Sequence, residues 1–405
     1  MSLYIKPLFN QPSLPQRLQT HRTFVDAKVK WVRDPFLDTV VQKEKNLKPI
    51  LALKTLILSS PTKTLPISTA SSHKHHLLHL PTTTTTASFI QKYHSFFQLF
   101  ELKPHSLPHI KLTQKAIKLH SEESSIHNSP PHRKDAAERL AKLLMLTGAN
   151  KLPIRVIDCL KFDLGLPHNY ILTLLSDFPD YFQVSSVKDS NSDSETLCLE
   201  LVSRRDDLAV SLVEKNAMSE NFGYRKGMRL AFPMRFSKGF ELEKKVRNWV
   251  EEWQSLPYIS PYEDAFHLNP SGDQAEKWTV AVLHELLSLL VSKKTEGENL
   301  FCLGEWLGFG SRFKKALVHH PGIFYVSNKI RTQTVVLREA YRKDFLVEKH
   351  PLMGMRYRYI HLMNKVKKRH KLGGVLADGR KKQVSLDAKK GEEREEDDKI
   401  RKTMS

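Results

Sequence analysis

Three groups of residues in this chain have side chains that could do chemistry. Cys159, Cys198 and Cys302 are odd in number and far apart. That argues against a disulfide framework and against a zinc site built on cysteine pairs, and it fits a reducing compartment. All three lie in apolar contexts without a nucleophile motif, so they read as core residues. The second group is His73, His75, His76 and His79. A helix would bring His75 and His79 to one face. No acidic or cysteine ligand is close, however, and a threonine run at 82–86 follows. No metal site and no cofactor are expected. The third group, Glu263 and Asp264 in "YEDAFH" (262–267), reads as acids at a helix start rather than an acid–base pair. There is no phosphate-binding loop and no dinucleotide fingerprint, so no enzyme is expected.

What the chain does offer is positive charge. Lys plus Arg total 64 against 44 Asp plus Glu, a formal net charge of +20. Such an excess opposes folding by self-repulsion and implies attraction to a polyanion: RNA, DNA or an anionic surface. No stretch approaches the roughly 18 apolar residues of a membrane span, and no membrane partner is expected. The cations fall into three sets. Lys28, Lys30, Arg33, Lys43, Lys45 and Lys48 lie near the N-terminus. In the second set, at 221–240, Arg225, Lys226, Arg229, Arg235 and Lys238 alternate with Phe222, Tyr224, Phe232, Phe236 and Phe240. Single-stranded nucleic acid uses both ingredients, cations on phosphates and aromatic planes on bases. The same pattern also suits a long connection pinned to the core by its aromatics. The third set is Arg312, Lys314, Lys315, Arg331, Arg338, Arg342 and Lys343.

The elements that must position these residues follow an internal repeat. "LHLP" at 78–81, "LGLP" at 164–167 and "LGFG" at 307–310 each precede a helical stretch and then an aromatic strand start. From Leu80 to Phe97, Leu166 to Phe182 and Phe309 to Phe324 the spacings are 17, 16 and 15 positions. Each is followed by strand pairs (97–102 with 109–112, 181–187 with 196–202, 323–327 with 334–337) and then by a helix (113–123, 205–215, 338–349). The expected fold is α+β and predominantly helical. It has about three tandem winged-helix-like units of helix–helix–β-hairpin–helix, at about 65–123, 152–215 and 300–350, plus connecting helices. Such units suit nucleic acid, with a helix for a groove and a hairpin for the backbone, and they also serve protein contacts. A helical stretch at 26–58 precedes them. Between the last two units lie helices at 241–256, with Trp249 and Trp253 in the core, and at 273–293.

Both termini read differently from the folded region, which spans 26–365. Residues 1–25 contain no acid and include Arg17 and Arg22, the character of an organelle transit peptide. Scarce Ser and Thr favour a mitochondrion, with a chloroplast as the alternative. Residues 366–405 are charged and should be disordered.

Long ordered stretches carry a family resemblance. "KVKWVRDPFLDTVVQKEKNLKPILALKTLI" (28–57), "KFDLGLPHNYILTLLSDFPDYFQV" (161–184), "EEWQSLPYISPYEDAFHLNP" (251–270), "AEKWTVAVLHELLSL" (275–289) and "HPGIFYVSNKIRTQTVVLREAY" (320–341) resemble the plant organelle RNA recognition family. The resemblance covers about 28–365. It implies a nucleus-encoded organellar protein that binds group II intron RNA, alongside other splicing factors, and assists splicing without catalysing it, because the intron is the ribozyme. It carries over no catalytic residue. At 71–87, "SSHKHHLLHLPTTTTTA" departs from the apolar and basic helix expected there. An organellar DNA-binding protein and an interaction scaffold of an organellar ribonucleoprotein are the competing readings.

Overall fold

A computed structural model describes residues 31–74, 78, 80, 83–101, 107–188, 195–220, 223–330 and 332–365. The expected transit peptide and charged tail lie outside the described residues.

Helices α1 (Pro35–Lys43) and α2 (Leu47–Ser59) open the chain. They are followed by strand β1 (Thr64–Pro66), helices α3 (Ile67–Ser72) and α4 (Thr86–Lys92), and the hairpin β2 (Phe97–Phe100) and β3 (His109–Leu112). After α5 (Gln114–Asn128), α6 (Pro130–Met145) starts the order again: β4 (Lys151–Pro153), α7 (Ile154–Leu164), α8 (Tyr170–Thr173), β5 (Phe182–Lys188), β6 (Glu195–Leu201). Helices α9 (Leu212–Glu220) and α10 (Lys244–Gln254) lead to α11 (Asp273–Leu289). Then come β7 (Lys294–Glu296), α12 (Gly297–Trp306), α13 (Ser311–His319), β8 (Phe324–Ser327) and β9 (Thr334–Leu337). A small hairpin, β10 (Tyr341–Arg342) and β11 (Phe345–Leu346), and helix α14 (Pro351–Asn364) close the fold. It is α+β and mostly helical.

Each of the three larger sheets is antiparallel, with its last strand in the middle: β1-β3-β2, β4-β6-β5 and β7-β9-β8. The short first strand of each was missed in the sequence. It explains a repeated backbone feature. The residue before it is left-handed every time, at Lys63 (φ 54), Asn150 (φ 54) and Lys293 (φ 52). Non-glycine residues seldom adopt this region, so its recurrence marks one turn geometry used three times.

The stretch read as one helix at 26–58 is two helices, because the chain turns at 44–46. Asp34 caps α1 by accepting from the Phe36 and Leu37 amides, and Pro35 sits at its first position. The helix expected at 338–349 is not there. A 3-10 turn at Arg338–Ala340 and the β10–β11 hairpin replace it, with Lys343 left-handed at the turn (φ 59). The helix begins only at Pro351, whose ring suits a first turn. Likewise the helix expected at 205–215 forms as α9, from Leu212. Glu263 and Asp264 start no helix; Asp264 Oδ1 accepts from the Phe266 amide in a turn. Cys159, read as core, is exposed, whereas Cys198 is buried.

Two large cores result. One joins the second and third repeats around α11, where Val280 to Leu283 and Leu286 and Leu287 are at most 1% exposed. Trp249 and Trp253 stack in it at 6.1 Å. The other joins the first repeat to α14 through Phe96, Ile110, Met355 and Tyr359. Gly165 lets α14 close in, since a Cβ there would lie 2.7 Å from both Leu352 and Val291.

The repeats meet at a buried ionic cluster. Lys294 binds Glu44 at 2.7 Å, and Lys48 binds Glu296 at 2.8 Å and Asp163 at 3.6 Å. Thr295 donates to Asp163 at 2.8 Å. Arg356 of α14 lies over the Phe162 ring at 3.8 Å. Burial alone would neutralise Glu44, but the Lys294 ammonium outweighs it and holds the carboxyl below its usual range.

A second ionic group, in the first core, makes stability pH-dependent. Burial opposes the charge on Glu123, yet the His120 hydrogen bond and the Lys54 ammonium win and hold its pKa at about 2, against 4.5 ordinarily. A depressed folded pKa stabilises the native state above pH about 4.5 and loses that contribution as pH falls towards 2. Glu123→Gln should therefore cost up to about 3 kcal/mol at pH 7 and flatten the acid limb of the stability profile, read by urea unfolding across pH.

Candidate nucleic-acid interface

The three basic sets are far apart in sequence, but parts of each converge on the third repeat. Val32 accepts from Ser237 Oγ at 3.1 Å, which lays the N-terminal segment against the 221–240 stretch. Arg235 ties that stretch to the closing hairpin through Tyr341 O at 2.6 Å and to the α13–β8 turn through Gly322 O at 2.8 Å. Lys43 reaches Asp344 at 3.0 Å. At the centre, Arg338 binds Asp34 at 3.0 Å and Ser237 at 3.0 Å and lies over the Tyr325 ring.

This arrangement separates candidates that hold the surface together from those it presents. Arg338 is 5% exposed and both its terminal nitrogens are engaged, so it braces the surface and has no free face for a phosphate. Phe232 is 3% exposed and stacked on Trp253, so its ring cannot take a base. Its amide and carbonyl are both held by Gln254, which pins the long connection to the core. Lys48 belongs to the ionic cluster between repeats. Lys28, Lys30 and Arg331 lie outside the described residues.

What remains outward is a cationic and aromatic surface. Arg33, Arg235, Lys238 and Arg342 are exposed, and Arg33 is anchored on Asp38 at 2.6 Å. Trp31, 48% exposed, stacks on Tyr325 at 5.5 Å. Phe236, 39% exposed, stacks on Phe240 at 4.8 Å and rests on Gly322, where a Cβ would lie 2.7 Å from its ring. Rigid rings with one outer face are suitable platforms for unpaired bases. Trp31 and Tyr325 were not among the candidates; the aromatic at 31 within a basic run was the available signal.

Further cations lie elsewhere on the chain. Lys45, Arg225 and Arg229 are exposed, and Lys226 pairs with Glu263 at 3.2 Å. On α13, Lys314 and Lys315 are exposed and Arg312 is partly so; Lys314 lies over Phe301 at 5.0 Å. The equivalent helices α4 and α8 instead help line a groove of about 1590 Å³ shared by the first two repeats and β7. Its charges are largely self-paired, as in Lys48–Glu296 and Lys161–Asp158 at 3.5 Å. Phosphates there would compete with carboxylates.

Residues 32–368 match the family model of the plant organelle RNA recognition domain. The chain belongs to the plant organelle RNA recognition family. Among its relatives, the Arabidopsis thaliana protein WHAT'S THIS FACTOR 9, mitochondrial, is 36% identical over 85% of this chain and 87% of its own length. The chloroplastic WHAT'S THIS FACTOR 1 homolog of the same plant is 29% identical over 90% of this chain and 68% of its own. ROOT PRIMORDIUM DEFECTIVE 1, also from Arabidopsis thaliana, is 29% identical over 84% of each. No solved structure matches the chain. The recognition domain thus takes in α1 through α14, including both segments that cross between repeats. Among the described residues no helix is long and apolar enough to cross a membrane.

Proposed function

We propose that this protein binds group II intron RNA in a plant mitochondrion, with the chloroplast as the alternative compartment, and promotes splicing without catalysing it. The observation that carries the reading is the convergence of Arg33, Arg235, Lys238 and Arg342 with the half-exposed Trp31 and Phe236 on the third repeat. Cations hold the backbone of a structured RNA and the rings hold unpaired bases beside it. Other splicing factors share the complex. Family membership supports RNA as the polyanion, and the mitochondrial relative supports the compartment.

The protein acts by stabilising one RNA fold over its competitors. Moving a two-state RNA from 1:99 to 99:1 needs about 5.5 kcal/mol of differential binding. One or two stacked bases at about 1–3 kcal/mol each, plus a few phosphate contacts, reach that scale.

The exposed cationic helix α13 keeps duplex DNA in play, because a helix with Lys314 and Lys315 suits a groove. Competition binding at fixed salt decides between them. The proposal expects structured intron RNA to displace a labelled intron probe well ahead of duplex DNA of equal length. Equal or better displacement by the duplex contradicts it, and no salt-dependent binding to either supports the scaffold reading.

A further inference from the structure

We propose that His132, Asp135 and His350 form a zinc site that clips the start of α14 to α6. No sequence motif announces it, because His132 and Asp135 are one helical turn apart whereas His350 lies more than two hundred residues on. The fold brings one ligand atom from each within 4.8 Å of the others.

The donor set fits the ion. Zinc takes imidazole nitrogen and carboxylate oxygen in tetrahedral sites at about 2.0–2.2 Å, which places ligand atoms about 3.4 Å apart. His350 Nε2 already lies 3.6 Å from Asp135 Oδ2. His132 is 7% exposed, and its Nε2 has no hydrogen-bond partner among the described residues; neither has His350 Nε2. His132 Nε2 is thus a buried imidazole nitrogen without a partner among the described residues, and His350 Nε2 reaches only the Asp135 carboxylate at 3.6 Å, so both are under-bonded unless an ion binds them. The Asp135 side chain is 50% exposed and gives the ion a path in.

Two neighbours shape the site. Arg139 binds Asp135 at 2.9 Å, so the carboxylate stands between guanidinium and metal. His350 Nδ1 accepts from the Leu352 amide at 3.2 Å, which aims Nε2 inward. Loading Nε2 moves the ring proton to Nδ1 and gives up that cap bond, a weaker interaction than zinc–imidazole bonding. The fourth position falls to water or to His127, whose ring lies 5.5 Å from that of His132. Because α6 belongs to the core of the last two repeats and α14 to that of the first, the ion would lock the two cores together.

The test uses the full chain, stripped with chelator and titrated with ZnCl2 alone. One tight equivalent and a raised melting midpoint are expected, and Co2+ should give a tetrahedral visible spectrum. Losing an outer-shell partner of a metal site costs about 10–100-fold in affinity, so losing a ligand should cost at least tenfold. Asp135→Asn, His132→Gln and His350→Gln are each expected to do so. If the buried histidine variants do not fold, the half-exposed Asp135→Asn decides. No tight equivalent in the wild-type chain overturns the site. So does an equivalent that survives Asp135→Asn but is lost when His73, His75, His76 and His79 are replaced.

Discussion

Replacing Lys238, Arg342 and Lys343 together by alanine lowers affinity for structured intron RNA roughly fifty-fold at physiological salt. All three are exposed, and none has an ion-pair partner among the described residues. They flank the bonds that assemble the surface, Ser237 to Val32 and Arg235 to Tyr341, without taking part in them. The magnitude comes from counterion release. Each phosphate contact to single-stranded RNA contributes about 0.7 to the slope of log affinity against log salt, or about fourfold near 0.15 M. Three contacts therefore lower the slope by about 2 and affinity by about fifty-fold, and the difference should vanish near 1 M salt. A filter-binding salt series measures both. An unchanged slope with unchanged affinity would remove this surface from the account. The same variant should melt with the wild type, since surface changes of this kind stay within about 0.5 kcal/mol.

The largest expected loss of stability is at Asp163. Its carboxylate receives Thr295 Oγ1 at 2.8 Å and faces Lys48 at 3.6 Å, with 5% of the side chain exposed. Asp163→Ala leaves the buried Thr295 hydroxyl without its acceptor and removes one of the two carboxylates that face Lys48, whose side chain is 37% exposed. Losing a buried charged acceptor together with a partly screened ion pair costs about 2–4 kcal/mol. In a chain this size the melting midpoint should fall by roughly 3 °C or more. Asp180→Ala, at an exposed acid, is the control and should change little. A loss under about 1 kcal/mol for Asp163→Ala would mean that apolar packing, not the ionic cluster, fixes the repeats against one another. Lys48 is instructive here: as a candidate it was a phosphate ligand, and in the fold Glu296 and Asp163 already hold it.

The parts of this fold that were legible are those set by local pattern. The aromatic strand starts at Phe97, Phe182 and Phe324 and the long amphipathic α11 follow from periodicity and turn residues. The short first strands were hidden, since three residues carry no alternation to detect. A signal was present nonetheless: Leu65-Pro66-Ile67 and Leu152-Pro153-Ile154 are the same tripeptide, each starting two positions after a left-handed residue. The third copy reads Thr295-Glu296-Gly297, which masks it. The hairpin at 341–346 read as helix because its sequence has a helical composition. Tertiary bonds override that preference, with Arg338 drawn to Asp34 and Tyr341 to Ser292 at 2.5 Å.

The candidate surface was legible in residue type but not in arrangement. Arg33, Lys238 and Arg342 were named from composition, and nothing in one sequence places them together. The contacts that do so, Val32 with Ser237 and Asp34 with Arg338, span some two hundred and three hundred positions. Phe232 and Phe236 sit four apart in the same run, yet one is core and one is surface. A coil has no fixed period from which to tell them apart.

The most direct test of the central claim is co-immunoprecipitation of the tagged chain from isolated plant mitochondria, with sequencing of the bound nucleic acid. The proposal predicts enrichment of particular group II intron sequences over flanking exons, with RNase abolishing the signal and DNase leaving it. Enrichment of DNA, or of transcripts without bias towards introns, would contradict it.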